Sequence, residues 1–358
     1  MFARTFRWSF VISAVALVLA FIYGGWSALF LCLVLGILEV SLSFDNAVLN
    51  ATILRKMSPF WQKMFLTVGI VIAVFGMRLI FPILIVSIAA GISPIDALQL
   101  ALQKGDPHQP GTYGYIFASV HPVVAAFGGM FLLLLFLSFI LTERKITWLT
   151  WIEKPLAKLG TIPLMSVGIA VVALLLATWP LPVHSQVEVL TAGLIGIFVF
   201  FVVHGLGEAF KRYGEKRAAS STALAVGKAG FFLFLYLEVL DATLSFDGAI
   251  GAFAITPDPI IIALGLGLIG AIFVRSLTVY MVKRRTLESL VHLEHGAHWA
   301  IGALAVILLV SMSFHLNEFL TGIIGVVFIL ASLYTSLRYK KQHNHPNTPR
   351  QKEQKQVQ

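Results

Sequence analysis

Five carboxylates lie inside long apolar stretches of the chain: Glu39, Asp45, Glu238, Asp241 and Asp247. An ionised carboxylate in hydrocarbon is costly unless it is paired, hydrated or bound to a metal, so acids at membrane depth mark functional sites. On an ideal helix Glu39, Ser43 and Asn46 share one stripe at i, i+4 and i+7, and Glu238, Asp241 and Ser245 share another at i, i+3 and i+7. Each stripe offers oxygen ligands. Asp45 and Asp247 each follow their stripe's Glu39 or Asp241 by six residues, about 120° round the helix and about 9 Å along it, so straight helices keep them out of the same shell. Two arrangements stay open. Either the helices unwind near Asn46 and Gly248, or Asp45 and Asp247 pair with Arg78 and Arg275 and act as gates. Two arginines cannot neutralise five acids, which leaves negative charge for a cation or for protons.

Oxygen donors without thiolates suit Mg²⁺, Ca²⁺ or Mn²⁺, and an added histidine tilts the choice toward Mn²⁺ or a later metal. His121, Glu294, His295 and His298 are available for that, as weaker ligands that also read as interfacial or hydrogen-bonded side chains. His204 and Glu208, four apart, read as a local helix pair. The single cysteine, Cys32, excludes an intramolecular disulfide and a cysteine-based metal site. No nucleophile elbow, phosphate loop or zinc-protease helix is present, so no enzyme and no tightly bound cofactor is expected, and a divalent cation is the expected substrate.

The elements that must position these acids are membrane helices. Of the 358 residues 58% are hydrophobic and 12% charged, outside the range of a soluble domain. The net charge of +9 is scattered between apolar runs rather than gathered on one face, which argues against nucleic acid and for a lipid bilayer as partner. Runs long enough to cross about 30 Å of hydrocarbon lie near residues 6–22, 26–50, 64–90, 121–141, 162–179, 187–209, 226–251, 258–282, 298–313 and 317–337, giving about ten spans. Lys and Arg fall in the amino terminus, the even-to-odd loops and the tail, while the opposite loops hold only Lys104. The positive-inside rule then places both termini in the cytoplasm, with the first run an uncleaved helix. The tail 339–358 is polar, basic and expected to be disordered, and carries His343 and His345.

Span 2 reads ILEVSLSFDNAV and span 7 reads VLDATLSFDGAI, matching at one offset of 202 residues. The next span of each half carries an arginine, Arg78 and Arg275, and the one after opens on a histidine, His121 and His298. Residues 1–180 and 181–338 thus read as two copies of a five-helix unit. Five is odd, so the second copy enters from the other side, and the fold class is an all-α polytopic membrane protein with a 5+5 inverted repeat. In such an arrangement Glu39 and Asp241 lie near the midplane and approach one another, and Asp45 and Asp247 lie toward opposite faces.

At the E-x5-D-N and D-x5-D-G segments, with the arginines that follow and LEHGAHWAIGALA, the chain resembles the TerC-like integral membrane proteins, closest to the branch catalogued as DUF475. The resemblance covers most of residues 26–338. That family is named for an association with tellurium resistance and includes manganese exporters. The resemblance implies that Glu39, Asp45, Asn46, Asp241 and Asp247 are metal-transport residues of a bacterial inner-membrane protein. The expected function is export of a Mn²⁺-like cation by alternating access. The alternatives are transport of another solute or of protons, and a membrane scaffold that helps exported proteins acquire metal or fold.

Overall fold

The structure, a computed structural model, describes residues 2–42, 47, 50–51, 53–55, 57–72, 76, 78, 80–103, 109–144, 146–218, 227–284, 291–314, 316 and 318–343. These are overwhelmingly helical. The first helix, α1 (Phe2–Leu42), breaks at Gly24 and Gly25, where Gly25 takes φ 66° and ψ −152°. That backbone is open to glycine and strained for other residues. The break falls between the first two apolar runs read from the sequence.

The run expected at 64–90 is not one regular helix. Helix α2 (Pro59–Met64) passes into a π-helical stretch, Phe65–Gly69. Gly76, Arg78 and Ile80 carry the same wide hydrogen-bond pattern. Helix α3 (Phe81–Ala90) then turns through 106° into α4 (Pro94–Gln103). The bend sits at Gly91, whose φ of 65° ends α3 in a left-handed cap.

Helix α5 (Tyr113–Ile140) is the hub of the bundle. After it come α6 (Thr150–Leu159), α7 (Met165–Thr178), α8 (Val183–Ala218) and α9 (Gly227–Ala252). Helix α10 (Pro259–Ile262) runs through a second π-helical stretch, Ala263–Gly270, into α11 (Ala271–Arg284). The chain closes with α12 (Leu293–Ser311) and α13 (Glu318–His343). Helix α5 packs against α8 and α12, and α1 packs against the second π-helical stretch and α11. Glycines set these approaches: Gly128 and Gly129 lie against Leu308 and Leu309, and Gly302 against Phe136. Small residues at helix contacts are how membrane bundles gain packing that hydrophobicity alone does not supply.

Among the described residues five helices are long and apolar enough to cross a membrane, or six if the bent pair α3–α4 is one span, with two shorter apolar helices besides. Large apolar side chains such as Phe198, Leu176 and Ile88 point outward and are well exposed, as a lipid-facing surface requires. The chain is a multi-pass helical membrane protein.

Candidate site among the intramembrane carboxylates

Glu39 stands one turn before the end of α1 and is 1% exposed. Its Oε1 lies 2.5 Å from Nη2 of Arg78, which is 2% exposed. The ion pair is possible only because two glycines face it. A Cβ on Gly248 would come within 2.6 Å of Glu39 Oε2, and one on Gly270 would overlap Glu39 Cγ. Gly248 does not unwind α9, which continues to Ala252. The missing side chain instead admits the carboxylate of another helix. At Asn46 the unwinding alternative lies outside the described residues.

Helix α9 carries Glu238 and Asp241 one turn apart, and each lies in the electrostatic field of the other. Asp241 also feels Arg78 and Glu39, so both sequence stripes enter one network. Asn50 Nδ2 donates to Asp241 Oδ1 at 3.2 Å. Glu238 is packed against Gly69, the last residue of the first π-helical stretch, where a Cβ would collide with its Oε1. That oxygen is buried and has no hydrogen-bond partner among the described residues.

The side chain of Asp247 lies outside the described residues, and among those Arg275 has no carboxylate partner. Its Nε donates to the carbonyl of Leu66, at 2.9 Å, in the first π-helical stretch. That carbonyl is available because a π-helical turn displaces the backbone from its regular α-helical partners. Arg78, Arg275, Asp241, Asn50 and Gly69 line a common cavity of about 30 Å³. A single water needs about 10–15 Å³, so the space suits a few small species.

Asp45, Asn46 and Ser43 lie outside the described residues, as do the side chains of Asp247 and Ser245. The proposed gate pairings of Asp45 and Asp247 lie there too. Among the described residues no three His, Cys, Asp or Glu side chains converge to enclose an ion.

The histidines stand apart from this network. Helices α5 and α12 are antiparallel: Gly128 meets Leu308 while Phe139 stacks on His298 with ring centroids 3.6 Å apart. His121, against the ring of Phe117 at 5.6 Å, is therefore at the other end of the pair from His298. His298 Nδ1 meets the carbonyl of Glu294 at 2.9 Å, and Glu294 takes Arg144 at 2.8 Å. His295 Nδ1 lies 3.0 Å from Glu153 Oε2. His204 packs against the ring of Phe200, at 4.3 Å, and the Glu208 side chain is outside the described set.

Sequence reasoning missed two residues here. Asn50 continues the stripe of Glu39, Ser43 and Asn46 by one more turn, at i+11, and that spacing was a usable signal. Glu153 was hidden in a basic loop. It is 3% exposed and accepts from Trp148 N–H, Leu149 N–H and Trp299 Nε1–H. Burial pushes its carboxyl up, but the Trp299 indole, the two backbone donors and His295 outweigh that and hold it below the usual glutamate range.

Residues 44–343 match the model of a family described as "Protein of unknown function (DUF475)". No curated protein and no solved structure shows significant similarity.

Proposed function

The chain belongs to the DUF475 family, whose description assigns no activity, and we propose from its own residues that it is a transporter of a divalent metal cation. The reading is of a Mn²⁺-like ion exported by alternating access across a bacterial inner membrane, with both termini cytoplasmic. It involves no enzymatic step. The supporting observation is the network itself: Glu39 pairs with Arg78 and Asp241 with Asn50, and Arg78, Asn50 and Asp241 line one small cavity.

Arg78 takes the place of a cation at Glu39, so an arriving divalent ion competes with the guanidinium for that carboxylate. Glu39 and Asp241 are the central ligands, supported by Asn46, Ser43, Glu238 and Ser245, and Asp45 and Asp247 serve as relays or gates. Among the described residues the network contains oxygen donors and no histidine, which suits Mg²⁺, Ca²⁺ or Mn²⁺. The preference for Mn²⁺ rests on the resemblance to TerC-like proteins.

A reciprocal contact supports the ten-span inverted repeat. Glu39 of α1 rests on Gly270, the last residue of the second π-helical stretch, and Glu238 of α9 rests on Gly69, the last residue of the first. Each half thus lodges an acid of its second span against the third span of the other half. Inverted repeats place such crossed contacts at the midplane.

Glu238 favours a second reading, in which protons are carried. A buried carboxyl oxygen without a hydrogen-bond partner costs less when the group bears a proton. Flux that follows a pH gradient without metal would support it.

The test is Mn²⁺, Ca²⁺ and Mg²⁺ flux into liposomes holding the wild type, Asp241→Asn or Glu39→Gln. Flux present in the wild type and lost in both folded variants is expected. Absence of wild-type flux under every gradient would sink the transporter reading and promote a scaffold.

A further inference from the structure

Far from the carboxylate network, α6 lies between two membrane helices and is amphipathic. Its sequence TWIEKPLAKL alternates aromatic and aliphatic residues with Lys154 and Lys158. Trp151 and Leu164 are each 77% exposed, and Ile146, Leu159 and Ile162 are exposed beside them. Within a soluble protein such a cluster calls for a cover. Here the segment joins α5, which ends at Ile140, to α7, which begins at Met165, so it sits where the chain leaves and re-enters the bilayer. A basic amphipathic helix with an apolar stripe of Ile152, Leu156 and Leu159 and an exposed Trp151 in line with its lysines fits a helix lying in the lipid interface.

A cavity of about 220 Å³ opens against this helix. It is far larger than a water needs, about 10–15 Å³, and smaller than the roughly 300–1,000 Å³ of a drug-sized ligand pocket. Arg144, Lys154 and Lys158 bring three positive charges to its wall, and Glu143 and Glu153 bring two negative ones. Glu153 is already saturated by two backbone N–H groups, the Trp299 indole and His295. Arg144 is shared with Glu294 and lies over the Phe139 ring at 3.8 Å. Among the described residues neither Lys154 nor Lys158 has an ion-pair partner. The cavity therefore presents unspent positive charge on the same helix that carries exposed apolar side chains.

We propose that this cavity binds the headgroup phosphate of an anionic phospholipid, with Lys154 and Lys158 as its charge partners and Trp151, Leu159 and Leu164 against the acyl region. The charge pattern read from the sequence puts this segment on the cytoplasmic side, where anionic lipids and juxtamembrane basic residues attract each other. A free phosphate shares the charge chemistry but has no use for the apolar side chains, and that difference separates the two sources.

Native mass spectrometry of the detergent-purified full chain with phosphatidylglycerol or phosphatidylcholine tests the assignment. The wild type is expected to retain one phosphatidylglycerol at least tenfold over phosphatidylcholine. Lys154→Gln with Lys158→Gln is expected to abolish that preference, and Trp151→Ala to weaken retention severalfold. Both lysines are exposed, so the double variant keeps its fold, checked by monodispersity. Equal retention of the two lipids, or retention unchanged in the double variant, overturns the proposal. Displacement by millimolar inorganic phosphate with no effect of Trp151→Ala also overturns it, in favour of a free anion.

Discussion

Arg78 and Glu39 face one another at 2.5 Å with almost no contact with solvent on either side. Removing one partner strands the other as a buried charge, at a typical cost of about 3–5 kcal/mol, whereas removing both strands neither member of the pair and leaves Asp241 to its amide partner Asn50. Arg78→Gln alone should therefore unfold at clearly lower temperature than the wild type, and Arg78→Gln with Glu39→Gln should recover much of the loss. Thermal unfolding in one detergent measures both. Equal destabilisation by the single and double changes would show that the pair does not carry the effect.

Asn50 holds Asp241 through a single amide. By analogy with the partners that orient metal ligands, whose loss costs about 10–100-fold in affinity, Asn50→Ala should raise the Mn²⁺ concentration for half-maximal flux by that order. Maximal flux should change less. An unaltered concentration dependence in the liposome assay would mean that Asp241 needs no such positioning.

Gly270 and Gly69 leave no room for a Cβ beside Glu39 and Glu238, whereas a Cβ on Gly168 meets nothing within 4 Å. Gly270→Ala and Gly69→Ala should each destabilise by about 1–3 kcal/mol, the usual cost of overpacking. Gly168→Ala should be neutral or slightly stabilising. Tolerance of all three changes, read by unfolding temperature, would argue against the tight seating of the two acids.

Acid should weaken the contacts around the start of α12, with α13 through His292 and with α6 through Glu153, in two steps. Burial, reinforced by the neighbouring His295, holds His292 below its ordinary value of 6.5 against the opposing pull of Glu153 and a backbone contact at Thr335. The folded state resists protonating that imidazole, so stability is lost as pH falls below about 6.5. Glu153 is held below its ordinary 4.5, so its contribution is intact above that value and is lost as pH falls further, toward its folded-state value. Scanning fluorimetry from about pH 8 down to about pH 2.5 should show both losses. His292→Gln should remove the first and Glu153→Gln the second, and an unchanged profile in either variant would refute its assignment.

The break at Gly24–Gly25 can be tested by labelling. In a Cys32→Ala background, Trp26→Cys should react with a membrane-impermeant maleimide from the side opposite Arg7→Cys. Reaction of both from one side would make α1 a single crossing or a surface helix.

Much of the bundle was legible in the sequence because membrane helices announce themselves by length and apolarity. The runs near 226–251 and 258–282 fall within one or two residues of α9 and of the α10–α11 segment. The stretch 64–90 was not legible as it stands, because the π-helical turns and the 106° bend change hydrogen bonding without changing hydrophobicity. At the site, the stripe of Glu238 and Asp241 followed from helical spacing alone. What spacing could not reveal was which side chains from distant segments would meet them: Arg275 turns to the Leu66 carbonyl, and Gly248 and Gly270 act through atoms they lack. Glu153 escaped notice because a glutamate among lysines reads as a solvated charge, and only the fold brings Trp299 and His295 over it.

A π-helical turn holds one residue more than the α-helix around it. Moving that surplus along by a single position rotates the residue it passes by about 100°, leaves the helix beyond in place, and keeps the number of backbone hydrogen bonds the same. Gly69 and Gly270 close the two π-helical stretches, and Glu238 and Glu39 rest against them. Both acids thus bear on the places where a helix is able to turn one residue at a time, with no segment melted in the process.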